Sequence, residues 1–472
     1  MKSFLALLLF LLFSLSCAVN PVTGENEVML FSEKAEVSMG ADVDRSISQE
    51  YGLYQDPLLT RYIERVGRRL VPHTHRPNLV YHFSVLDTPV INAFAAPGGY
   101  IYVTRGILAL MNSEAEMAAV LGHELGHVNA RHSMRQMSNA ILLNTGLLAA
   151  SLINKKVARF AGLASVGVQL LLLKYSRDDE YQADSLGVEY ARKAGYNPGE
   201  VIDFFLSLEK LGDMSGSARV PGFLSTHPLT KNRINRARTL ILPEDGRMLM
   251  ERELYLSSIN GMVYGENPKS GYLEGRTFYY PEMGISLVLP EGWQAEASPR
   301  RITLSSADGK GAYLLERNDN PVDLPTTVAK KAESLGKVRL LDQEKNPMDS
   351  FPSLRCRYSL LQEDSLLAVD VTGFRQENRV VTLTALSEEK DYRTLSGAFR
   401  SLAMSIKPIS DQRKVKRQPQ RILLRKADGE TELRELFRRE GVEEKKWPFL
   451  ALLNSLELNS RPERGTLIKV VR

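Results

Sequence analysis

Over the first 250 residues the apolar positions recur mostly at helical spacing, and beyond residue 276 mostly at every second position. Residues 33 to 51 read as a helix. Asp56-Pro57 opens a second, in which Leu59, Tyr62, Ile63, Val66 and Leu70 share one face before Pro72 ends it. Leu79 to Leu86 reads as a strand, and the run from Ile91 to Thr104 as two strands joined through Pro97-Gly98-Gly99. Ser113 and Glu116 give a capping-box signature for a long amphipathic helix, which the pattern carries to about Met137. Two apolar stretches between Ile141 and Leu173, parted by Asn154-Lys155-Lys156, predict a buried helical hairpin, because each is short of the roughly twenty clean apolar residues of a membrane span; the alternatives are a membrane-dipping hairpin and a hydrophobic surface loop facing lipid or substrate. A helix over 177–194 ends at Gly195, Asn197-Pro198 opens another, and Ser225-Thr226-His227-Pro228 turns into a basic helix over 229–240.

From Arg276 short β-rich runs alternate with helical patterns near 326–335 and 392–406, which predicts a separate α+β domain. Arg413, Lys414, Lys416, Arg417 and Arg421 form a basic linker expected to be a solvated hinge. The last fifty residues read as strand-helix-helix-strand. The expected organisation is therefore multidomain: a signal over 1–18, a mainly α-helical domain with a small β-sheet over 19–265, the α+β domain over 276–408, the linker over 409–421 and a small module over 422–472.

Composition narrows this little. With 43% hydrophobic and 25% charged residues the chain is ordinary globular protein, neither disordered nor multi-span. A net charge of +5 over 472 residues is too small to imply a nucleic-acid partner. Only Cys17 and Cys356 are present, which excludes an internal disulfide framework; Cys356 reads as a small buried hydrophobe. Met1-Lys2, ten unbroken apolar residues from Phe4 to Phe13 and the small-residue exit Ser14 to Ala18 have the layout of a secretory signal. It resembles bacterial lipoprotein signals, with Ser14 where Leu is usual. Two processing sites compete: before Cys17, which then carries a lipid, or after Ala18. The first is favoured and, with Ala18 after the cysteine, implies a periplasmic protein anchored to the outer membrane; the alternative is a soluble periplasmic protein.

His123-Glu124-Leu125-Gly126-His127 carries the chemistry. On a helix, His123 and His127 project from one face and can both ligate a single Zn²⁺, with Glu124 beside them to take a proton from the attacking water. Catalytic zinc takes a third protein ligand, and the acidic turn Asp178-Asp179-Glu180, with Asp184 one turn further on, is the candidate source; spacing leaves the choice among the three open.

These residues resemble the HtpX-like and CaaX-prenyl-protease-like zinc metallopeptidases, and within them the secreted or lipid-anchored periplasmic branch. The resemblance covers about residues 20 to 240 and rests on NPVTG at 20–24, NAFAAPGGYIYVTRGIL at 92–108, HELGHVNARH at 123–132, SRDDEYQADSLGVEYARKAGYNP at 176–198 and STHPLTKNRI at 225–234. It implies a zincin-like fold with His123, His127 and Glu180 as ligands of one Zn²⁺, Glu124 as general base and acid, and Asp184 behind a ligand histidine. It also implies that Asn92, Ala93 and Phe94 lie on an edge strand along which an extended substrate adds. His227 is expected at the active site, either polarising the scissile carbonyl or occupying zinc's open position, and Arg233 is a weaker candidate for stabilising an oxyanion. His73, His75, His82 and His132 are expected to be surface or structural residues.

The last fifty residues faintly resemble a LysM-type glycan-binding module, with Glu430-Thr431 in place of the usual Asp-Thr pair, which implies contact with peptidoglycan. The expected function is a zinc endopeptidase hydrolysing misfolded or misassembled cell-envelope proteins. The rivals are a non-catalytic assembly factor or chaperone with a capped metal site, and a cell-wall-binding adaptor.

Overall fold

The computed structural model describes residues 17–142, 174–214, 222–297, 301–318, 323–362 and 365–472. The leader expected upstream of Cys17 and the apolar segment expected before Leu173, beyond its first two residues, lie outside the described residues. Among the described residues no helix is long and apolar enough to cross a membrane.

A short hairpin, β1 (Cys17–Val19) and β2 (Asn26–Val28), leads into α1 (Glu33–Tyr51) and α2 (Pro57–Leu70). The face of α2 read from spacing is the buried one, and Asp56 caps the helix by accepting from the amides of Leu58 and Leu59. Three strands follow: β3 (His82–Leu86), β4 (Ala93–Ala96) and β5 (Tyr100–Thr104). β5 sits in the middle, parallel to β3 and antiparallel to β4, which leaves β4 at the edge.

After the short α3 (Arg105–Leu110) comes α4 (Glu114–Asn129), which carries the His-Glu-x-x-His sequence. It differs from the expectation in two ways. All sixteen of its residues are buried, so it is a central helix rather than an amphipathic one. It also stops at Asn129, with α5 (His132–Leu142) starting anew. The break has a physical cause: Asn129 gives its side chain to the Tyr81 hydroxyl, the Leu125 carbonyl and the Arg76 amide, and Arg131 turns left-handed at φ +53° to reach Glu36 at 2.8 Å. A left-handed arginine costs roughly 1–2 kcal/mol, which the buried ion pair and its bond to the Phe31 carbonyl offset. The N-terminal hairpin seats against this break, with Asn20 reaching the Ala130 carbonyl and Glu27 pairing with Arg135 at 2.8 Å.

α6 (Arg177–Lys193), α7 (Glu200–Met214), α8 (Phe223–Thr226), α9 (Lys231–Leu240) and α10 (Arg252–Ile259) follow, and α6, α7 and α10 pack against α4. The β-rich region then forms a four-stranded sheet, ordered β16 (Lys407–Pro408), β8 (Ile285–Val288), β7 (Thr277–Tyr280), β6 (Tyr272–Glu274). Beside it lies a seven-stranded antiparallel sheet, ordered β12 (Val338–Lys345), β13 (Ser353–Gln362), β14 (Ser365–Gln376), β15 (Arg379–Glu388), β11 (Gly311–Asn318), β10 (Arg301–Ser305), β9 (Gln294–Ala297). Neighbouring residues of β14 feed opposite cores: Val369 packs with α11 (Leu324–Glu333) on one face, and Ala368 with α12 (Glu389–Met404) on the other. Cys356 is buried in the first of these cores. The basic segment is not a free hinge, because Lys414 and Arg417 both pair with Glu274 and Arg417 lies over the Tyr272 ring at 4.4 Å.

The last fifty residues follow the expected order: β17 (Ile422–Lys426), α13 (Leu433–Arg439), α14 (Trp447–Leu453) and β18 (Leu467–Val471), with β17 and β18 antiparallel. They do not stand apart. Leu433, Phe437, Trp447, Leu450 and Ile468 belong to the same apolar core as Leu59, Ile107 and Leu121. The Lys469 amine, fully buried, donates to the carbonyls of Ala109 at 2.8 Å and Met111 at 2.9 Å, just ahead of α4. Burial pushes that amine down to about 7 and the nearby Glu116 carboxyl up to about 8, while their mutual attraction opposes both shifts. Replacing Lys469 by Ala strands two buried carbonyls, so Lys469→Ala should lower unfolding free energy by about 3 kcal/mol in urea titration. A variant within 0.5 kcal/mol of wild type, roughly the span of ordinary surface changes, would refute this account.

Candidate metal centre

The centre is built where α4 and α6 cross. Gly122 and Gly126 on α4 face Ala183 and Gly187 on α6 so closely that a Cβ on Gly126 would lie 3.0 Å from the Ala183 Cα, and one on Gly187 2.9 Å from the His123 amide nitrogen. Small residues one turn apart on both helices let the backbones meet. His123 and His127, on the same face of α4, therefore reach acidic side chains near the start of α6. Ser176 caps α6 in a full capping box with Asp179.

The structure brings His123, His127, Glu180 and His227 together, with one ligand atom from each lying within 4.8 Å of all the others. The Nε2 atoms of His127 and His123 are 3.0 Å apart, His123 Nε2 is 3.2 Å from His227 Nδ1, His227 Nδ1 is 2.9 Å from Glu180 Oε1, and His127 Nε2 is 3.5 Å from Glu180 Oε1. Of the three acids left open by spacing, Glu180 occupies the cluster; Asp178 is exposed, and Asp179 is turned to the Ser176 amide, Arg135 and His132. Asp184 lies behind the cluster, 2.9 Å from His123 Nδ1. Burial alone would raise its carboxyl, yet the Arg233 guanidinium, bonded to both its oxygens at 2.7 and 2.8 Å, holds it down at about 2.

Glu124 is fully buried, and neither of its carboxylate oxygens has a hydrogen-bond partner; His227 Nε2, itself unpartnered, lies 3.7 Å from Oε1. Burial pushes the Glu124 carboxyl above the usual carboxylate range, against the pull of His227 and His123. Burial, then the neighbouring histidines, pushes His127 well below its ordinary value, which keeps its imidazole neutral and able to ligate. The donor set fits zinc. Tetrahedral bonds of about 2.0–2.1 Å imply ligand–ligand separations of about 3.3 Å, and the separations here lie on both sides of that value.

The remaining expected residues are placed as follows. Ala93 and Phe94 are in β4 beside α4, but the Phe94 ring stacks on Tyr102 at 5.0 Å and packs with Val43 and Ile47, so what the strand offers there is backbone. Asn92 pairs its backbone with Thr104 and keeps a buried, unpartnered Oδ1. Arg233, expected to face an oxyanion, is 2% exposed and turned onto Asp184 and Glu180, the latter at 2.6 Å, on the ligand side. Cys17 lies in β1 opposite Val28. His75 bonds the Tyr190 hydroxyl at 2.7 Å, as a structural residue would. His132, expected to be a surface or structural residue, is fully buried with its Nδ1 2.8 Å from His127 Nδ1, and Tyr175, which the sequence did not single out, stacks its ring on His127 at 3.9 Å. The signal for His132 was its offset of five from His127, which reads as a different face if the helix runs on unbroken.

A helix-borne His-Glu-x-x-His pair completed by a carboxylate from a second helix defines the zinc-metallopeptidase class. Residues 57–241 match the model of peptidase family M48. The chain is 32% identical over 228 residues to the beta-barrel assembly-enhancing protease of Escherichia coli, covering 46% of each protein. It is 33% identical over 217 residues to the mitochondrial metalloendopeptidase OMA1 of Schizosaccharomyces pombe, covering 45% of this chain and 61% of that one. The bovine mitochondrial metalloendopeptidase OMA1 is 29% identical over 256 residues, covering 50% of this chain and 48% of that one. The chain thus spans about half the length of the curated relatives it matches.

If the helix crossing sets the ligand geometry, Gly126→Val should cost about 1–3 kcal/mol by overpacking and reduce the zinc retained through gel filtration. Gly397→Ala in α12, where an added Cβ meets nothing within 4 Å, is the control and should change neither. Full zinc retention by Gly126→Val would mean that the crossing does not position the ligands.

Proposed function

We propose that this protein is a zinc endopeptidase of the cell envelope, with His123, His127 and Glu180 as the ligands that stay throughout the reaction. The observation that carries this reading is the unpartnered, buried Glu124 carboxylate beside a donor set of zinc-like spacing. A zinc ion held there supplies a Lewis acid for the scissile carbonyl and makes water acidic enough to react near neutral pH. A Glu124 oxygen takes one proton from the attacking water, the water oxygen bonds to the carbonyl carbon, and Glu124 then delivers that proton to the departing amine as the C–N bond breaks. Burial raises the affinity of Glu124 for a proton, which favours its taking one from the attacking water.

His227 Nδ1 stands at a corner of the donor set, so His227 is read as a fourth ligand that closes the position substrate needs, and hydrolysis requires it to leave. The edge strand β4 offers backbone to an extended peptide. The envelope and outer-membrane setting, with the lipid on Cys17, rests on the leader and on relatives named for beta-barrel assembly; polypeptides of the envelope are the proposed substrates. A peptidoglycan contact by residues 422–472 is supported by their strand-helix-helix-strand order. Lack of retention on purified cell-wall sacculi would remove that contact alone.

Glu124→Gln should retain zinc at the wild-type level while hydrolysis of unfolded casein falls by about 10²–10⁴-fold. Casein turnover by this variant at the wild-type rate would end the peptidase reading, and complementation of a deletion strain by it would favour an assembly factor. His227→Ala should keep zinc on three ligands and cleave casein faster than wild type. Slower cleavage with zinc retained would instead assign His227 to the reaction itself.

A further inference from the structure

We infer that His132 is a positioning residue that fixes the tautomer of His127 and so presents the His127 Nε2 lone pair to the metal. This rests on the proposal that His127 is a ligand. His132 Nε2 faces two acceptors, Gln182 Oε1 at 2.8 Å and the Asp179 carboxylate at 3.4 Å, so it carries the hydrogen. Asp179 is held there by Arg135 and by the Ser176 amide at 3.0 Å. With its proton on Nε2, neutral His132 presents a bare Nδ1 to His127 Nδ1 at 2.8 Å, and a contact that short between two ring nitrogens needs one hydrogen between them. That hydrogen is therefore on His127 Nδ1, which leaves His127 Nε2 unprotonated and aimed at the other donors.

The geometry is available only because α4 breaks at Ala130–Arg131. An unbroken helix would turn residue 132 about 500° beyond residue 127, roughly 140° around the axis and off the His127 face. The left-handed Arg131 brings the ring back onto it. His123 is served differently, by the Asp184 carboxylate. The two ligand histidines thus have unlike supports: one anionic, the other a neutral imidazole relayed to an amide.

The test measures Zn²⁺ affinity of the full chain by competition with a chromogenic chelator. His132→Leu should weaken zinc binding 10–100-fold, and His132→Asn, whose Oδ1 stands near the position of Nδ1, should recover most of that loss. Both variants remove the ring, so a purely packing role predicts similar losses of thermal stability and zinc affinity within twofold of wild type; that result would overturn the inference. An Asn variant as weak as the Leu variant would overturn it as well. His127→Ala separates the two claims. If it loses zinc while His132→Leu does not, only this inference fails; if it binds zinc like wild type, the ligand assignment fails with it. Should His132→Leu not fold, the ¹⁵N side-chain spectrum of histidine-labelled wild-type protein with zinc decides. The Nε2–H tautomer at His132 supports the inference and the Nδ1–H tautomer or an imidazolium overturns it.

Discussion

The site depends on how closely two helices can approach. Imidazoles on α4 and carboxylates on α6 can share one ion only if the helix axes come nearer than ordinary side chains allow, and Gly122, Gly126, Ala183 and Gly187 remove the atoms that would keep them apart. Those residues alternate with the functional ones: His123 follows Gly122, His127 follows Gly126, and Asp184 follows Ala183. The crossing also explains why α4 is buried on every side. One face meets α6, another lies along β4, and the rest is closed by the surrounding helices and apolar core.

Close approach concentrates charge, and the centre is organised to neutralise it. Asp184 and Arg233 are buried together, so the carboxylate behind His123 brings no net charge, and Arg233 also steadies Glu180. A divalent ion with anionic Glu180 and Glu124 then sums to zero within the buried cluster. Without a cation the two buried carboxylates disfavour each other's charge, and burial together with Glu180 raises the proton affinity of Glu124. This is why Arg233 belongs to the ligand frame, although a lone arginine in a T-H-P-L-T-K-N-R run invites a role at the oxyanion.

Much of this was legible in the sequence, because the relevant signals are local. Caps at Asp56, Ser113 and Ser176, the Pro-Gly-Gly hairpin, and paired histidines one turn apart act over four or five residues, and each appears where its chemistry requires. What was not legible depends on partners distant in sequence. The end of α4 is set by Glu36, Tyr81 and Arg76, and local periodicity carries the helix past it. His132 looked unremarkable for the same reason, since its meaning appears only once the break has turned it. Glu180 could be chosen over its acidic neighbours by family resemblance but not by spacing, because the choice depends on how α6 is rotated against α4.

The C-terminal strand-helix-helix-strand unit marks the same boundary between local and distant information. Its element order is written in local pattern, but its packing is not. Lys469 occupies an inward position on β18 where an apolar residue would pack without cost, and a buried amine is stable only if carbonyls wait for it. Those carbonyls belong to Ala109 and Met111, at the turn that launches α4, and Asn112 of the same turn bonds Ser455 of the terminal unit. The terminal unit thereby holds the start of the helix whose other end supplies the ligands. An unanchored start would let α4 slide along its axis by a fraction of a turn, and a shift of about 1 Å is enough to spoil a site that has to hold catalytic groups within about 0.5 Å. The tail is therefore part of the scaffold that positions α4, whatever further surface it presents.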